Sequence, residues 1–211
     1  MNAKTTLKGF TLIELLIVIG IIAILAAVVL LTLNPAELLR QARDSTRISD
    51  FDSVRSAMAL YIVDVASPDI GIITNCYVAQ LNTPAIFGVI NPGCDSDDTG
   101  VYAARFNGGA TVVDATTPRN VDSNGWIPVN FTQISAGSPL PALPIDPTNS
   151  TLYFYAYRPG AGTTYELNAN MESAKFRPNE TTDGGDRNGN LTDGTSSDGL
   201  YEVGTDQLLD L

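Results

Sequence analysis

The densest set of chemically capable side chains lies near the end of the sequence, in Asp183-Gly184-Gly185-Asp186-Arg187-Asn188-Gly189-Asn190-Leu191-Thr192-Asp193. Hard oxygen donors recur there at short steps between glycines, and a calcium ion needs about six to eight such oxygens from a chain able to wrap it. Asp186, Asn188 and Asn190 match the opening of an EF-hand-like loop, but Leu191 stands where the turning glycine belongs and the closing bidentate glutamate is missing. Asp183, Asp186, Asn188, Asn190 and Asp193 are therefore the candidate ligands and Ca2+ the only cofactor suggested; the competing reading is a solvated loop rich in Asx turns. Cys76 and Cys94 share one compartment, whichever it is. If it is oxidising, a disulfide closing that loop would contribute roughly 3 kcal/mol; the alternative is two buried thiols. A third chemical feature is Glu14, a carboxylate just inside a long apolar run. Histidine is absent, and Lys175 is the only lysine beyond Lys8. His-based triads and His-ligated metals are thereby excluded and an enzyme is hard to build.

These groups must be positioned by the elements around them. Met1 to Gly9 is polar, with Lys4 and Lys8, and an uncharged run then extends from Leu15 to Leu33. As a helix rising 1.5 Å per residue that run is roughly 28 Å long, close to the hydrocarbon thickness of a bilayer. A cleaved secretory signal, with Ala23-Ile24-Leu25-Ala26-Ala27 near a small-residue site, and a plain membrane anchor are two readings of it. Neither gives a reason for Glu14, whose ionised carboxylate is costly within a span.

Helical periodicity continues beyond the span. Ile48, Phe51, Val54 or Arg55, Met58, Tyr61 or Ile62, and Val65 recur at three- and four-residue steps, with Asp50, Asp52, Ser53 and Ser56 opposite. Asn34-Pro35 should interrupt this helix and Ser67-Pro68 should end it. From Ile70 onward short apolar runs alternate with Gly, Pro, Asn and Asp, so that strands are expected at Ile72 to Ala79, Val101 to Phe106, Thr111 to Asp114, Trp126 to Phe131, Leu152 to Tyr157 and Thr164 to Ala169. Tyr153, Tyr155 and Tyr157 share one face of their strand, a pattern suited to a half-buried sheet more than to stacking on a ligand. The net charge of -11, concentrated after Arg177, argues against nucleic acid as a partner.

Lys8-Gly9-Phe10-Thr11-Leu12-Ile13-Glu14-Leu15 resembles the prepilin signature of type IV pilins and type II secretion pseudopilins: a basic leader, a glycine, then phenylalanine and a glutamate at the fifth mature position. The resemblance implies a prepilin peptidase that cuts between Gly9 and Phe10 and methylates the new amine of Phe10. It implies further that Glu14 serves assembly, by pairing with that amine on a neighbouring subunit. Leu143-Pro144-Ile145-Asp146-Pro147 and the aromatic strand after it resemble the Pro-Asp-Pro loop and last hairpin of major pseudopilins. Many pilins carry their helix-breaking proline at the position held here by Leu31, a departure from the pattern.

The expected fold class is thus α+β and pilin-like, a long N-terminal helix whose first half spans the membrane and whose second half packs on a small antiparallel sheet. The expected regions are a leader at 1–9, a transmembrane and filament-core helix at 10–33, an amphipathic continuation at 34–66 and an extracytoplasmic β-rich domain at 67–211. The expected partners are identical or related pilin subunits, the peptidase, the membrane and inner-membrane assembly machinery. Residence in the inner membrane would be followed by an extracellular filament. A secretion pseudopilin is the nearest alternative and a membrane-tethered binding protein the contrasting one. Arg40, Arg43 and Arg47 after the span outnumber Lys4 and Lys8 before it, so the positive-inside count alone favours the reverse orientation; the signature places the leader in the cytoplasm.

Overall fold

The computed structural model describes residues 9–73, 77–79, 117–150, 153–178 and 200–206. The chain forms two compact units, Met1–Leu39 and Arg40–Leu211.

In the first unit, helix α1 runs over Leu12–Leu33. From Leu12 to Val29 it is long and apolar enough to cross a membrane, and its large side chains are exposed all round, as a helix with no polar face must be outside lipid or partners. It ends at Asn34, which adopts a left-handed conformation with φ 37°. The cause is local: a residue before proline is disfavoured in the α region, and asparagine tolerates the left-handed one better than most residues. Asn34 also starts the next helix, α2 over Pro35–Asp64. Its carbonyl accepts from Glu37 N at 3.0 Å and Leu38 N at 3.3 Å, while Pro35 occupies the first helical position, where a missing N–H costs nothing. The expected interruption therefore falls at one residue between two capped helices, three positions after Leu31.

In the second unit, α2 buries Phe51, Val54, Ala57, Met58 and Tyr61 along one side. On its exposed side Thr46, Ser53 and Ser56 fold their hydroxyls back onto the carbonyls of Ala42, Ser49 and Asp52 at 3.1, 2.9 and 2.7 Å. The buried side faces a four-stranded antiparallel sheet of β1 (Tyr77–Val78), β2 (Ala156–Pro159), β3 (Tyr165–Ala169) and β4 (Tyr201–Gly204), in that spatial order. Register aligns Tyr77, Tyr157, Leu167 and Val203 across the strands, and all four belong to the core. Phe51 meets Tyr155 at a ring-centroid distance of 4.9 Å, and the buried Tyr157 hydroxyl donates to Ile70 O at 2.7 Å. Tyr155 and Tyr157 of the tyrosine face are thus fully buried in the core, while Tyr153 is half-buried beside Arg47.

Three strand expectations need correction. Trp126 to Phe131 is irregular chain with one isolated bridge, Asp122 to Asn130, leading into a short 3-10 turn over Phe131–Gln133. Trp126, Ile127, Val129 and Phe131 are all buried without strict alternation, and Pro128 has no N–H to give a ladder. Trp126 reaches the core because the loop closes tightly behind it: a Cβ on Gly125 would stand 2.0 Å from Asn120 O. The aromatic strand begins later than expected, at Ala156; of the strand expected from Ile72 to Ala79, Ile72 and Ile73 are exposed and outside β1; and β4 was not among the expected strands. The segments proposed at Val101 to Phe106 and Thr111 to Asp114 lie outside the described residues.

Candidate functional site

The first site is the start of α1. Gly9, Phe10 and Thr11 are not helical, Thr11 is extended at φ -82° and ψ 151°, and the Phe10 side chain is 88% exposed. A Cβ on Gly9 would meet nothing within 4 Å, so any demand for glycine at this position is made by a molecule that binds the junction and not by the chain itself. The helix starts sharply because Thr11 and Glu14 form a capping box. Glu14 Oε2 accepts from Thr11 N and from Thr11 Oγ1, both at 2.8 Å, and Glu14 N donates to Thr11 Oγ1 at 3.3 Å. Sequence reasoning did not foresee Thr11 as a partner of Glu14. The spacing Thr-x-x-Glu before an apolar run is the signal that could have supplied one. The two donors on Glu14 are neutral, and among the described residues no basic side chain pairs with it, so its charge remains available to a cation from elsewhere.

The second site was missed altogether. Arg47 is fully buried and donates from Nε and Nη2 to the two carboxylate oxygens of Asp146 at 2.7 and 2.9 Å, from Nη1 to Asp44 at 2.6 Å and from Nη2 to Glu172 at 2.7 Å. Arg43 forks onto both oxygens of Glu172, with Nε at 2.8 Å from Oε1. Thr148 donates to Glu172 Oε1 at 2.8 Å, and Arg47 lies over the Tyr153 ring at 5.1 Å. Asp44 in turn accepts from the backbone of Glu172 at 2.9 Å and of Ser173 at 2.8 Å. One turn of α2 is thereby tied to the loop holding Asp146 and to the segment after β3. This geometry binds and positions; it offers no nucleophile or general base aimed at a cleft.

Burial alone would raise the Glu172 carboxyl, but hydrogen bonds from Arg43, Arg47 and Thr148 outweigh it and hold the group at about 2 instead of 4.5. Folding therefore favours the ionised form. Its contribution is complete above about pH 4.5, declines as pH falls, and is gone below about pH 2. Asp50 works in the opposite sense: burial raises its carboxyl although Tyr155 donates to it at 2.7 Å, so acidification relieves a cost there. The gap in melting temperature between the native chain and Glu172→Gln should be widest at neutral pH and close between about pH 4.5 and 2. A gap that stays constant across that window would show that Glu172 acts through shape, not charge.

Cys76 and Cys94, and the five residues from Asp183 to Asp193 expected as candidate oxygen ligands, lie outside the described residues. Among the described residues no group of three Asp, Glu, His or Cys side chains is placed to hold a metal.

With this geometry in hand, comparison with known families shows that residues 7–30 fit the prokaryotic N-terminal methylation motif. That motif is the signature of type IV pilins and pseudopilins, and it spans the junction, the capping box and most of α1. It supports a pilin- or pseudopilin-like subunit, structural in role, which is processed by a peptidase and assembled with membrane machinery. No curated protein and no solved structure matches the chain.

Proposed function

We propose that this chain is the structural subunit of a type IV pilus-like filament. Cleavage falls between Gly9 and Phe10, the amine of Phe10 is methylated, and α1 holds the subunit in the inner membrane until it joins other copies in a filament core. The observation that carries the reading is the coincidence, within residues 7–30, of the methylation motif, an extended junction and an apolar helix whose one carboxylate is held at its first turn. In a helical stack the same interface repeats without closing, so one apolar helix per subunit suffices to build a long fibre.

Co-expression with a prepilin peptidase and assembly proteins tests this. The native chain should be recovered from sheared filaments in its short form. Gly9→Val should remain in the membrane, longer by its leader, because a branched side chain at the scissile position obstructs the peptidase. Normal shortening and shearing of Gly9→Val would refute the assigned junction.

A further inference from the structure

The buried charges around Arg47 are more than the fold requires. An apolar cluster of similar volume would hold α2 on its unit at least as well, since desolvating several ions offsets most of what their attraction returns. What such a cluster would lack is directional bonding: apolar surfaces can slide and re-form contacts, whereas hydrogen bonds between charged groups hold each donor to its acceptor within narrow limits of distance and angle and must be broken outright.

The placement of the cluster gives this difference a use. The second unit begins at Arg40, and its apolar contacts along α2 begin at Phe51. Between them, on one helical turn, stand Arg43, Asp44 and Arg47. Each is bonded to a segment distant in sequence: Arg43 to Glu172 at 2.8 Å, Asp44 to the backbone of Ser173 at 2.8 Å and Arg47 to Asp146 at 2.7 Å. Any tension transmitted through α1 enters the second unit along α2 and meets these bonds before it reaches the core. We infer that the Arg43–Asp44–Arg47 turn is a mechanical clamp, which keeps tension applied through the N-terminal helix from peeling α2 away from the sheet. The inference rests on the filament reading, since only a subunit held by α1 under load needs such a clamp, yet the clamp is a property of the single chain.

The test is to pull on the full chain in detergent, through handles at its two termini. Arg43→Met, at a side chain 35% exposed, and Glu172→Gln weaken the clamp, while Val129→Ala and Leu167→Val weaken the core elsewhere. The core variants define how the unfolding rate at fixed tension varies with melting temperature. The clamp variants are expected to unfold about tenfold faster at that tension than core variants of equal melting temperature, because they remove bonds at the point where load enters. If they fall on the line set by the core variants, the cluster adds ordinary stability only and the inference is overturned. Since no filament is needed, a failure here is separable from a failure to assemble.

Discussion

Arg47→Ala is expected to lower the stability of the second unit by about 3–5 kcal/mol, a large fraction of the roughly 5–15 kcal/mol that holds a typical domain folded. The loss follows from what stays behind. Asp44, Asp146 and Glu172 are 0%, 2% and 6% exposed, and without the guanidinium Asp44 and Asp146 keep only neutral donors among the described residues, while Glu172 keeps Arg43 and Thr148. Three carboxylates in so dry a place repel one another and are left with unfilled acceptor positions. Arg47→Lys should recover part of the loss, because an ammonium restores the charge without the planar fork that spans both oxygens of Asp146. Urea unfolding of the full chain in detergent reads both variants. An Arg47→Ala chain within about 1 kcal/mol of the native one would contradict the network described, since surface ion pairs are worth that much.

The second large effect is on assembly. Glu14→Leu should insert and be shortened normally, yet its yield in sheared filaments should fall by more than about tenfold, a factor that corresponds to only 1.4 kcal/mol of lost pairing energy. The pairing proposed between the Glu14 carboxylate and the Phe10 amine of a neighbouring copy would be weakly screened in lipid, and so strong enough to set the stagger of adjacent helices. The capping box sharpens the comparison. Glu14→Gln still suits the Thr-x-x-Gln form of the box and so keeps the helix start while losing the charge. Thr11→Val does the reverse, keeping the charge and losing the cap. Filament yield, set against the mature pool left in the membrane, should follow the charge: poor for Glu14→Gln, much nearer native for Thr11→Val. The opposite order would make Glu14 a helix cap with no part in pairing.

How much of this was legible in the sequence depended on how local the physics was. The start of α1, the carboxylate in its first turn and the break at Asn34 are each decided by neighbours a few residues away. The inward side of α2 was readable for the same reason, as Phe51, Val54, Met58 and Tyr61 follow the period of the helix. Arg47 was not, because a charged residue is read as solvent-facing, whereas its partners Asp146 and Glu172 lie 99 and 125 residues away. Asp146 stood inside the loop that resembles those of pseudopilins, but nothing in the loop announced an arginine. Trp126 to Phe131 misled because burial on successive residues imitates a strand where the chain is an irregular loop threaded into the core. β4 is four residues long, beyond an acidic stretch, with only Tyr201 and Val203 to mark it.

The intact mass of the protein recovered from its native envelope or filament bears most directly on the central claim. A chain that begins at Phe10, its amine heavier by one methylene, is the predicted result. A chain that still carries Met1 to Gly9, or one that begins after Ala26 or Ala27 as a secretory signal would leave it, would contradict the pilin reading.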